Sequence, residues 1–167
     1  IPFRPRYSGS FSCIMVALLL LSGDVECNPG PSCQPSSLRF GYINICSAVH
    51  KAPLIHDILA DHSLDVLAIS ETRFQLDMPN SILYDVAPEG FSVEHSFRSR
   101  TANHPAGGGL ALIHRNDVTD QPVRCSLPSP SSFELQVLRI TSCKPCVTIV
   151  NAYRPPDRSL ATFFEEF

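Results

Sequence analysis

The sequence predicts a mixed α/β (α+β) domain in which a parallel βαβ unit is followed by antiparallel strands. Two observations predict this class. A β-prone run, an amphipathic helical segment and a second apolar run follow one another over residues 38–71, and a strand–helix–strand unit of about 30 residues has parallel strands. Three further β-like runs lie between residues 107 and 153, and the last two are close enough for an antiparallel hairpin. The length of 167 residues and the hydrophobic content of 44% agree with one globular domain.

The βαβ unit begins with "LRFGYINI" (38–45), which is apolar and β-prone. "APLIHDILADHS" (52–63) follows, with Leu54, Ile55, Ile58 and Leu59 at helical spacing. Pro53 suits the first turn of that helix. "LDVLAIS" (64–70) is then typical of a short buried strand that ends at Glu71.

The second half of the chain predicts three strands and a helix. The strands are "GGGLALIHR" (107–115), "FELQVLRI" (133–140) and "CVTIVNAY" (146–153). "SLATFFEEF" (159–167) begins a helix with Ser159 as its cap. Residues 73–106 are rich in loop signals, and we predict no element there.

The two ends of the chain predict a fragment. Residues 1–37 are rich in Pro, Ser and Gly outside the apolar run 13–21, so we interpret them as a leader and linker. The first residue is Ile, and the chain stops inside the helix that begins after Ser159. We therefore expect a domain over residues 38–167 that is truncated at its C-terminus.

Net charge and cysteine content limit the classes of protein and the cellular compartment to be considered. A formal net charge of −3 excludes a strongly basic nucleic-acid-binding surface but permits an enzyme that meets phosphate through a metal ion and a few arginines. Seven cysteines form no evident disulfide framework, which favours reduced, intracellular thiols. "CKPC" (143–146) has zinc-ligand spacing without a second pair, so a hairpin turn between two strands is the better interpretation.

Candidate site residues stand where predicted strands end. Asn44 and Glu71 close the two strands of the βαβ unit, and the carboxyl ends of parallel strands share one edge of the sheet. A carboxylate and an amide there could hold a hard divalent ion and a phosphate oxygen. The alternatives are an ion-paired or solvent-exposed Glu71 and an Asn44 that caps a turn.

Two residues at the end of a later strand are ambiguous. Tyr153 could orient a phosphate or simply pack with its hydroxyl in water. Arg154 could pair with a phosphate through both guanidinium nitrogens. The glycines at 107–109 lack the Lys and Ser/Thr of a P-loop and favour close packing of backbone on a neighbouring strand.

Four segments in order carry a family resemblance: "INICSAVHKAPLIHDILADHSLDVLAISETRF", "GGGLALIHR", "FELQVLRI" and "YRPP". Together they resemble the first half of an endonuclease/exonuclease/phosphatase domain, and most of all the apurinic-type endonuclease that non-LTR retrotransposons carry ahead of reverse transcriptase. The resemblance covers residues 38–167. It implies a four-layer sandwich of two mixed β-sheets with helices outside, and cleavage of a DNA phosphodiester with Mg²⁺ or Mn²⁺ in the nucleus.

The resemblance also implies roles for three residues. By position, Asn44 is a phosphate or metal contact, Glu71 binds the divalent metal, and Tyr153 meets the scissile phosphate. Arg73 stands where the retrotransposon branch often has tryptophan, and Pro156 where some relatives have asparagine. The family's aspartate–asparagine and aspartate–histidine pairs would follow Phe167, so we expect this chain alone not to cut DNA. A phosphatase of the same fold and an inactive remnant are the alternatives.

"DVECNPGP" resembles a 2A-like ribosome-skipping sequence, which has seven fixed positions and a free one that is Cys27 here. The resemblance implies a ribosome partner. It also implies that the ester on Gly30 is hydrolysed, so that no peptide bond forms between Gly30 and Pro31. The alternative is a secretory signal with its apolar core at 13–21, a run too short for a membrane span of about 20 residues. The fixed positions are Asp24, Val25, Glu26, Asn28, Pro29, Gly30 and Pro31.

Overall fold

The computed structural model describes residues 20–21, 38–98, 107–118, 130–140, 147–156 and 158–167. The described part of the chain forms seven strands and three helices of mixed α/β class. In chain order these are β1 (Leu20–Leu21), β2 (Phe40–Asn44), α1 (Ala52–Asp61), β3 (Val66–Ser70), α2 (Asn80–Tyr84), β4 (Phe91–Ser96), β5 (Leu110–Arg115), β6 (Glu134–Ile140), β7 (Val147–Tyr153) and α3 (Leu160–Glu166).

Four of the strands form a mixed sheet in the order β2-β3-β5-β4. β2 and β3 are parallel, with Asn44 opposite Ser70, which confirms the predicted βαβ unit. β5 runs antiparallel to both β3 and β4. β3 and β5 are the central strands, and every residue of β3 is buried, as expected for a strand covered on both faces.

α1 connects β2 to β3 and packs its apolar face on the four-stranded sheet. Pro53 occupies the first turn, where a missing N–H costs nothing. Ile55 and Leu59 are fully buried and belong to one cluster with residues of β3 and β5 that point to the same side of the sheet. Those strand residues are Leu67, Ile69, Ala111 and Ile113.

The second sheet has the strand order β1-β7-β6 and is antiparallel throughout. The β6–β7 pair confirms the predicted hairpin. Because side chains alternate along a strand, the residues of β3 and β5 that do not face α1 point to the opposite side. They form a second buried cluster with side chains of β6 and β7, so the two sheets share a core; its members are Val66, Ala68, Leu112, Val118, Leu138, Ile140 and Ile149.

α3 packs against the hairpin through Phe163, whose ring centroid lies 5.0 Å from that of Phe133. The Ser159 hydroxyl accepts a hydrogen bond from the Thr162 N–H at 3.3 Å, which confirms the predicted cap. Near the other end of α3, the Glu166 carboxylate accepts hydrogen bonds from the backbone N–H and the hydroxyl of both Ser131 and Ser132. These bonds, first of all those of the serine hydroxyls, lower the pKa of Glu166 to about 2.

The structure differs from the sequence prediction in three places. α2 and β4 lie in the region 73–106, where no element is predicted, and β5 begins at Leu110 and not at Gly107. The skipping motif 24–31, the "CKPC" segment and most of the leader 1–37 lie outside the described residues. Within the leader, Leu20–Leu21 pairs with Thr148 and Val147 of β7. None of the helices that the structure describes is long and apolar enough to cross a bilayer.

Candidate functional site

Asn44 and Glu71 meet at one edge of the four-stranded sheet. Asn44 is the last residue of β2, and Glu71 follows the last residue of β3, its parallel neighbour. The side-chain amide of Asn44 donates a hydrogen bond of 3.1 Å to Oε1 of Glu71. The sequence prediction that both side chains lie at the same edge is therefore confirmed.

The loop that carries Glu71 has an unusual backbone. Glu71 and Arg73 have φ angles of +55° and +58°, in the left-handed region that disfavours residues with a Cβ. Hydrogen bonds on both sides hold this conformation, because the carbonyl of Glu71 accepts from Ser47 N–H at 2.7 Å and Thr72 N–H donates to Gly109 at 3.1 Å. Non-glycine residues held at positive φ are often found in functional loops.

The glycine turn 107–109 supports the Glu71 loop from the side of β5. All three glycines have positive φ. A Cβ on Gly109 would lie 2.6 Å from the hydroxyl of Thr72, and one on Gly108 would overlap the carboxylate of Glu134. Gly108 and Gly109 are closely packed, but their nearest neighbours are side chains and not the backbone of a neighbouring strand as predicted; Gly107 has open space around it.

Tyr153 reaches the site from the second sheet. It is the last residue of β7, is 4% exposed, and its hydroxyl donates a hydrogen bond to Oε1 of Glu71. Two residues earlier on the same face, the buried amide of Asn151 donates to the carbonyls of Ile69 and Ala111 at 3.3 and 3.4 Å. Asn151 thus joins β7 to β3 and β5 and fixes the position of Tyr153 over Glu71.

The carboxylate of Glu71 is stabilised in its charged form. Burial raises its pKa, but the hydrogen bonds from Tyr153 and Asn44 and the charge of Arg73 outweigh burial, so that the pKa lies below its ordinary value. Glu71 is therefore ionised at neutral pH. The hydrogen bonds from Asn44 and Tyr153 both end on Oε1, and neither uses Oε2.

A second carboxylate, Glu134, lies close to Glu71 and was not predicted from the sequence. It begins β6 directly opposite Tyr153, accepts the Gly109 N–H at 2.6 Å, and lies 3.3 Å from the guanidinium of Arg98. Burial raises the pKa of Glu134, and the charge of Glu71 adds to that increase. The available signal was an acidic residue at the start of the apolar run "FELQVLRI".

Cys46 contacts the Glu71 loop, and Arg154 follows Tyr153 in the turn after β7. The exposed thiol of Cys46 accepts a hydrogen bond of 3.4 Å from the guanidinium of Arg73. Arg154 is buried, and its guanidinium donates to the carbonyls of Pro155 and Arg158 in the turn after β7. The role of Arg154 as a phosphate contact stays a prediction.

The oxygen atoms of Glu71 and Asn44 at the sheet edge fit a hard divalent cation that takes most of its other ligands from water and substrate. Among the described residues, no three His, Cys, Asp or Glu side chains gather as a complete metal site. Mg²⁺ does not require such a group, because it keeps several waters and binds through one or two carboxylates and substrate phosphates. The ionised Glu71, with the amide of Asn44 beside it, meets that requirement.

Comparison with known proteins does not assign the chain. No family model, curated protein or solved structure matches it. The geometry of the Glu71 site and the sequence motifs are therefore the indications of function that this chain carries.

Proposed function

We propose that residues 38–167 are the N-terminal part of a metal-dependent DNA endonuclease of the endonuclease/exonuclease/phosphatase family, of the apurinic type found in non-LTR retrotransposons. The observation that supports this most directly is the convergence of Asn44, Glu71 and Tyr153, which come from three different strands and two sheets. Two hydrogen bonds link them through a single carboxylate oxygen. These are the three residues to which the resemblance gives a role.

The proposed fold is the four-layer sandwich of that family. Three packing contacts support it. α1 covers one face of the four-stranded sheet, the other face shares a core with β6 and β7, and Phe163 of α3 packs with Phe133 and Ala152 at the hairpin.

The residues of the chain would act on the phosphate of a DNA backbone. Mg²⁺ or Mn²⁺, when bound, supplies positive charge that stabilises the transition state and the leaving oxygen of a phosphodiester. Glu71 would hold the cation as an ionised carboxylate. Asn44 would orient Glu71 through its NH₂ group, or add the amide oxygen that accepts the Cys46 N–H at 3.1 Å. Tyr153 donates its one hydroxyl proton to Glu71 in the free protein and would redirect it to an oxygen of the scissile phosphate when DNA is bound. Water would add to phosphorus as the P–O bond to the leaving oxygen breaks, and the proton lost by water would balance the one taken up by the leaving oxygen.

As an endonuclease of this type, the protein would act on DNA in the nucleus. It would work together with a reverse transcriptase encoded after the endonuclease domain. A phosphatase of the same fold, acting on a small phosphomonoester, would use the same residues. An inactive remnant would keep the fold without the reaction. The following assay separates these three possibilities.

Replacing Glu71 with alanine should reduce plasmid nicking more than tenfold in the domain extended through the catalytic pairs that the resemblance places after Phe167. The reason is that the substitution removes the charged ligand. Nicking is measured with Mg²⁺ and with EDTA, beside Glu89→Ala, which removes an exposed carboxylate outside the site and should nick like the wild type. Equal nicking by Glu71→Ala and wild type would remove Glu71 from the metal site. Hydrolysis of p-nitrophenyl phosphate without nicking would favour the phosphatase, and neither activity would favour the remnant.

We also propose that the leader directs ribosome skipping between Gly30 and Pro31. All seven fixed positions of the motif support this proposal. The apolar run and the Asn-Pro-Gly turn would constrain the nascent chain in the exit tunnel. Pro31 is a hindered secondary amine and a poor nucleophile, so the ester on Gly30 would be hydrolysed and translation would resume at Pro31.

Translation of residues 1–37 between two reporter proteins should give two separate products. Pro31→Ala supplies a primary amine at the same position and should give one fused product. Separation is measured by gel electrophoresis of the translation mixture. A single fused product from the unchanged leader would reject the skip, and export of the reporter in cells would favour the secretory alternative.

A further inference from the structure

The end of the second sheet nearest Glu71 faces the first sheet with polar side chains. Residues directly opposite each other in an antiparallel pair share a face of the sheet. Along β6 and β7, the first two opposite pairs on this face are polar and the third is apolar; they are Glu134 with Tyr153, Gln136 with Asn151, and Leu138 with Ile149. Each of the four polar side chains hydrogen-bonds to a group on the side of the four-stranded sheet. Near Glu71 the two sheets are therefore joined by specific hydrogen bonds as well as by apolar packing.

The contact made by Glu134 differs from the other three because it ends on the glycine turn 107–109. Oε2 of Glu134 accepts the N–H of Gly109 at 2.6 Å. The carbonyl of Gly109 in turn accepts the N–H of Thr72 at 3.1 Å, and Thr72 directly follows Glu71 in the chain. A continuous path of hydrogen bonds therefore leads from Glu134 on the second sheet to the loop that carries Glu71.

A second hydrogen bond joins the glycine turn to the same loop. The N–H of Arg73 donates to the carbonyl of Gly108 at 2.9 Å. The side chain of Glu134 packs directly over Gly108, where an added Cβ would overlap its carboxylate. Glu71 and Arg73 both have positive φ, and residues with a Cβ keep that conformation only where their surroundings hold it. The glycine turn supplies this support from the side of β5.

The carboxylate of Glu134 is itself held in one orientation. Nε of Arg98 lies 3.3 Å from its Oε1, and both side chains are largely buried. Burial raises the pKa of Glu134, whereas the bond from Gly109 and the charges of Arg98 and Arg158 oppose that increase. One carboxylate oxygen thus faces Arg98 and the other faces the glycine turn, so that Glu134 is a fixed acceptor for Gly109.

We propose that Glu134 is a positioning residue for Glu71: its bond to Gly109 fixes the glycine turn, and the turn holds the Glu71 carboxylate at the edge of the sheet. This inference rests on the proposed function where it concerns the cation, because Glu71 is the metal ligand in that proposal. Groups that hold a metal ligand without touching the metal typically change metal affinity or activity by about 10–100-fold when they are removed. Glu134 is such a group, since it acts on Glu71 through the backbone between them.

Two conservative variants separate the hydrogen bond of Glu134 from its charge. Glu134→Asp keeps the charge beside the arginines but has a shorter side chain, so its carboxylate withdraws from the Gly109 N–H. Glu134→Gln keeps the length and an acceptor oxygen but loses the charge. Glu165→Gln removes the charge of an exposed carboxylate on α3 and is the matched control.

Amide hydrogen exchange, followed by NMR on the full 167-residue chain in EDTA, reports whether the loop stays in place. In Glu134→Asp, the N–H groups of Thr72 and Arg73 should exchange about tenfold faster relative to a reference amide, because local opening is independent of global unfolding. The reference is the N–H of Arg115, which is hydrogen-bonded at 2.9 Å at the far end of β5. A general loss of stability would leave this ratio unchanged. Glu134→Gln and the control should keep the ratio within about twofold of the wild type.

The Mg²⁺ requirement of the extended domain is the second measurement. In Glu134→Asp, the Mg²⁺ concentration for half-maximal plasmid nicking should rise about tenfold, the lower end of the effect expected when a metal ligand loses its support. Glu134→Gln and Glu165→Gln should stay within about twofold of the wild type.

An unchanged exchange ratio in Glu134→Asp would overturn the proposal. Equal acceleration in Glu134→Asp and Glu134→Gln would also overturn it, because charge balance with the arginines, and not the bond to Gly109, would then hold the loop. Faster exchange in Glu134→Asp without nicking by the wild-type extended domain would keep the positioning of the loop and reject the nuclease. Nicking with the same Mg²⁺ requirement in the wild type and in Glu134→Asp would keep the nuclease and reject Glu134 as the support of its metal ligand.

Discussion

Replacing Asn151 with aspartate should destabilise the protein by about 3–5 kcal/mol at neutral pH, the range for a buried charge left without compensation. The substitution changes one NH₂ group to oxygen and leaves the size of the side chain unchanged. In the native protein that NH₂ group is 3.3 Å from the carbonyl of Ile69 and 3.4 Å from that of Ala111, and Asn151 is only 3% exposed. The introduced carboxylate would face two carbonyl oxygens with no donor between them.

The loss should depend on pH in a defined direction. The introduced carboxyl would have a folded-state pKa raised above its unfolded value of about 3.9, because burial and the two carbonyls disfavour its charge. The folded state then binds a proton more tightly than the unfolded state, so stability returns as the pH falls from 7 towards about 4. Urea unfolding followed by circular dichroism at several pH values measures this recovery.

Two controls make the Asn151 result specific. Asn151→Ala removes both donors without adding charge, and should cost about 1–3 kcal/mol with little dependence on pH between 5 and 7. Asn80→Asp makes the same chemical change at an exposed position and should stay within about 0.5 kcal/mol of wild type. If Asn151→Asp unfolds at the same urea concentration as Asn80→Asp, the amide does not lie between the sheets.

Since Asn151 also fixes β7, Asn151→Asp should lose the contact between Tyr153 and Glu71.

The sequence predicts those helices and strands whose own apolar pattern is strong enough to identify them. β3 was predictable because "VLAIS" is apolar at almost every position and buried on both faces. β4 was missed because Val93 is its only fully buried residue, so "FSVEHS" carries too little apolar signal between two loops. The Pro88–Gly90 turn before it and the alternation of Phe91 and Val93 were the available indications.

The same distinction between local and long-range information explains which residues of the site are predictable. Asn44 and Glu71 were predictable because a βαβ unit places both strand ends at one edge, which is a local rule. Glu134 lies near that edge only because the second sheet packs on the first, and no local pattern fixes how two sheets stack. Asn151 was visible as a polar residue within "VTIVNAY", but its partners on β3 and β5 depend on the same stacking.

Replacing Gly109 with alanine should destabilise the protein by about 2–4 kcal/mol and displace Glu71. A residue with a Cβ pays about 1–2 kcal/mol in the left-handed region, where Gly109 lies with φ at +87°. The new methyl group would also lie 2.6 Å from the hydroxyl of Thr72, which is buried and has little room to move. Thr72 follows Glu71 directly, so its displacement would move the carboxylate away from Asn44 and Tyr153.

Gly107→Ala is the matched control, because Gly107 has a φ of +97° but nothing within 4 Å of its added Cβ. It should cost only about 1 kcal/mol, since the smaller entropy of the unfolded chain offsets part of the backbone penalty. The double variant Gly109→Ala with Thr72→Ala removes the clash and should recover stability relative to the sum of the single changes. Urea unfolding measures the wild type and four variants, namely Gly109→Ala, Gly107→Ala, Thr72→Ala and the double variant. NMR of the carboxyl carbon of Glu71 reports its position. Equal losses at Gly107 and Gly109 with no recovery in the double variant would mean that backbone strain alone acts, and that the glycine turn does not hold Glu71 in place.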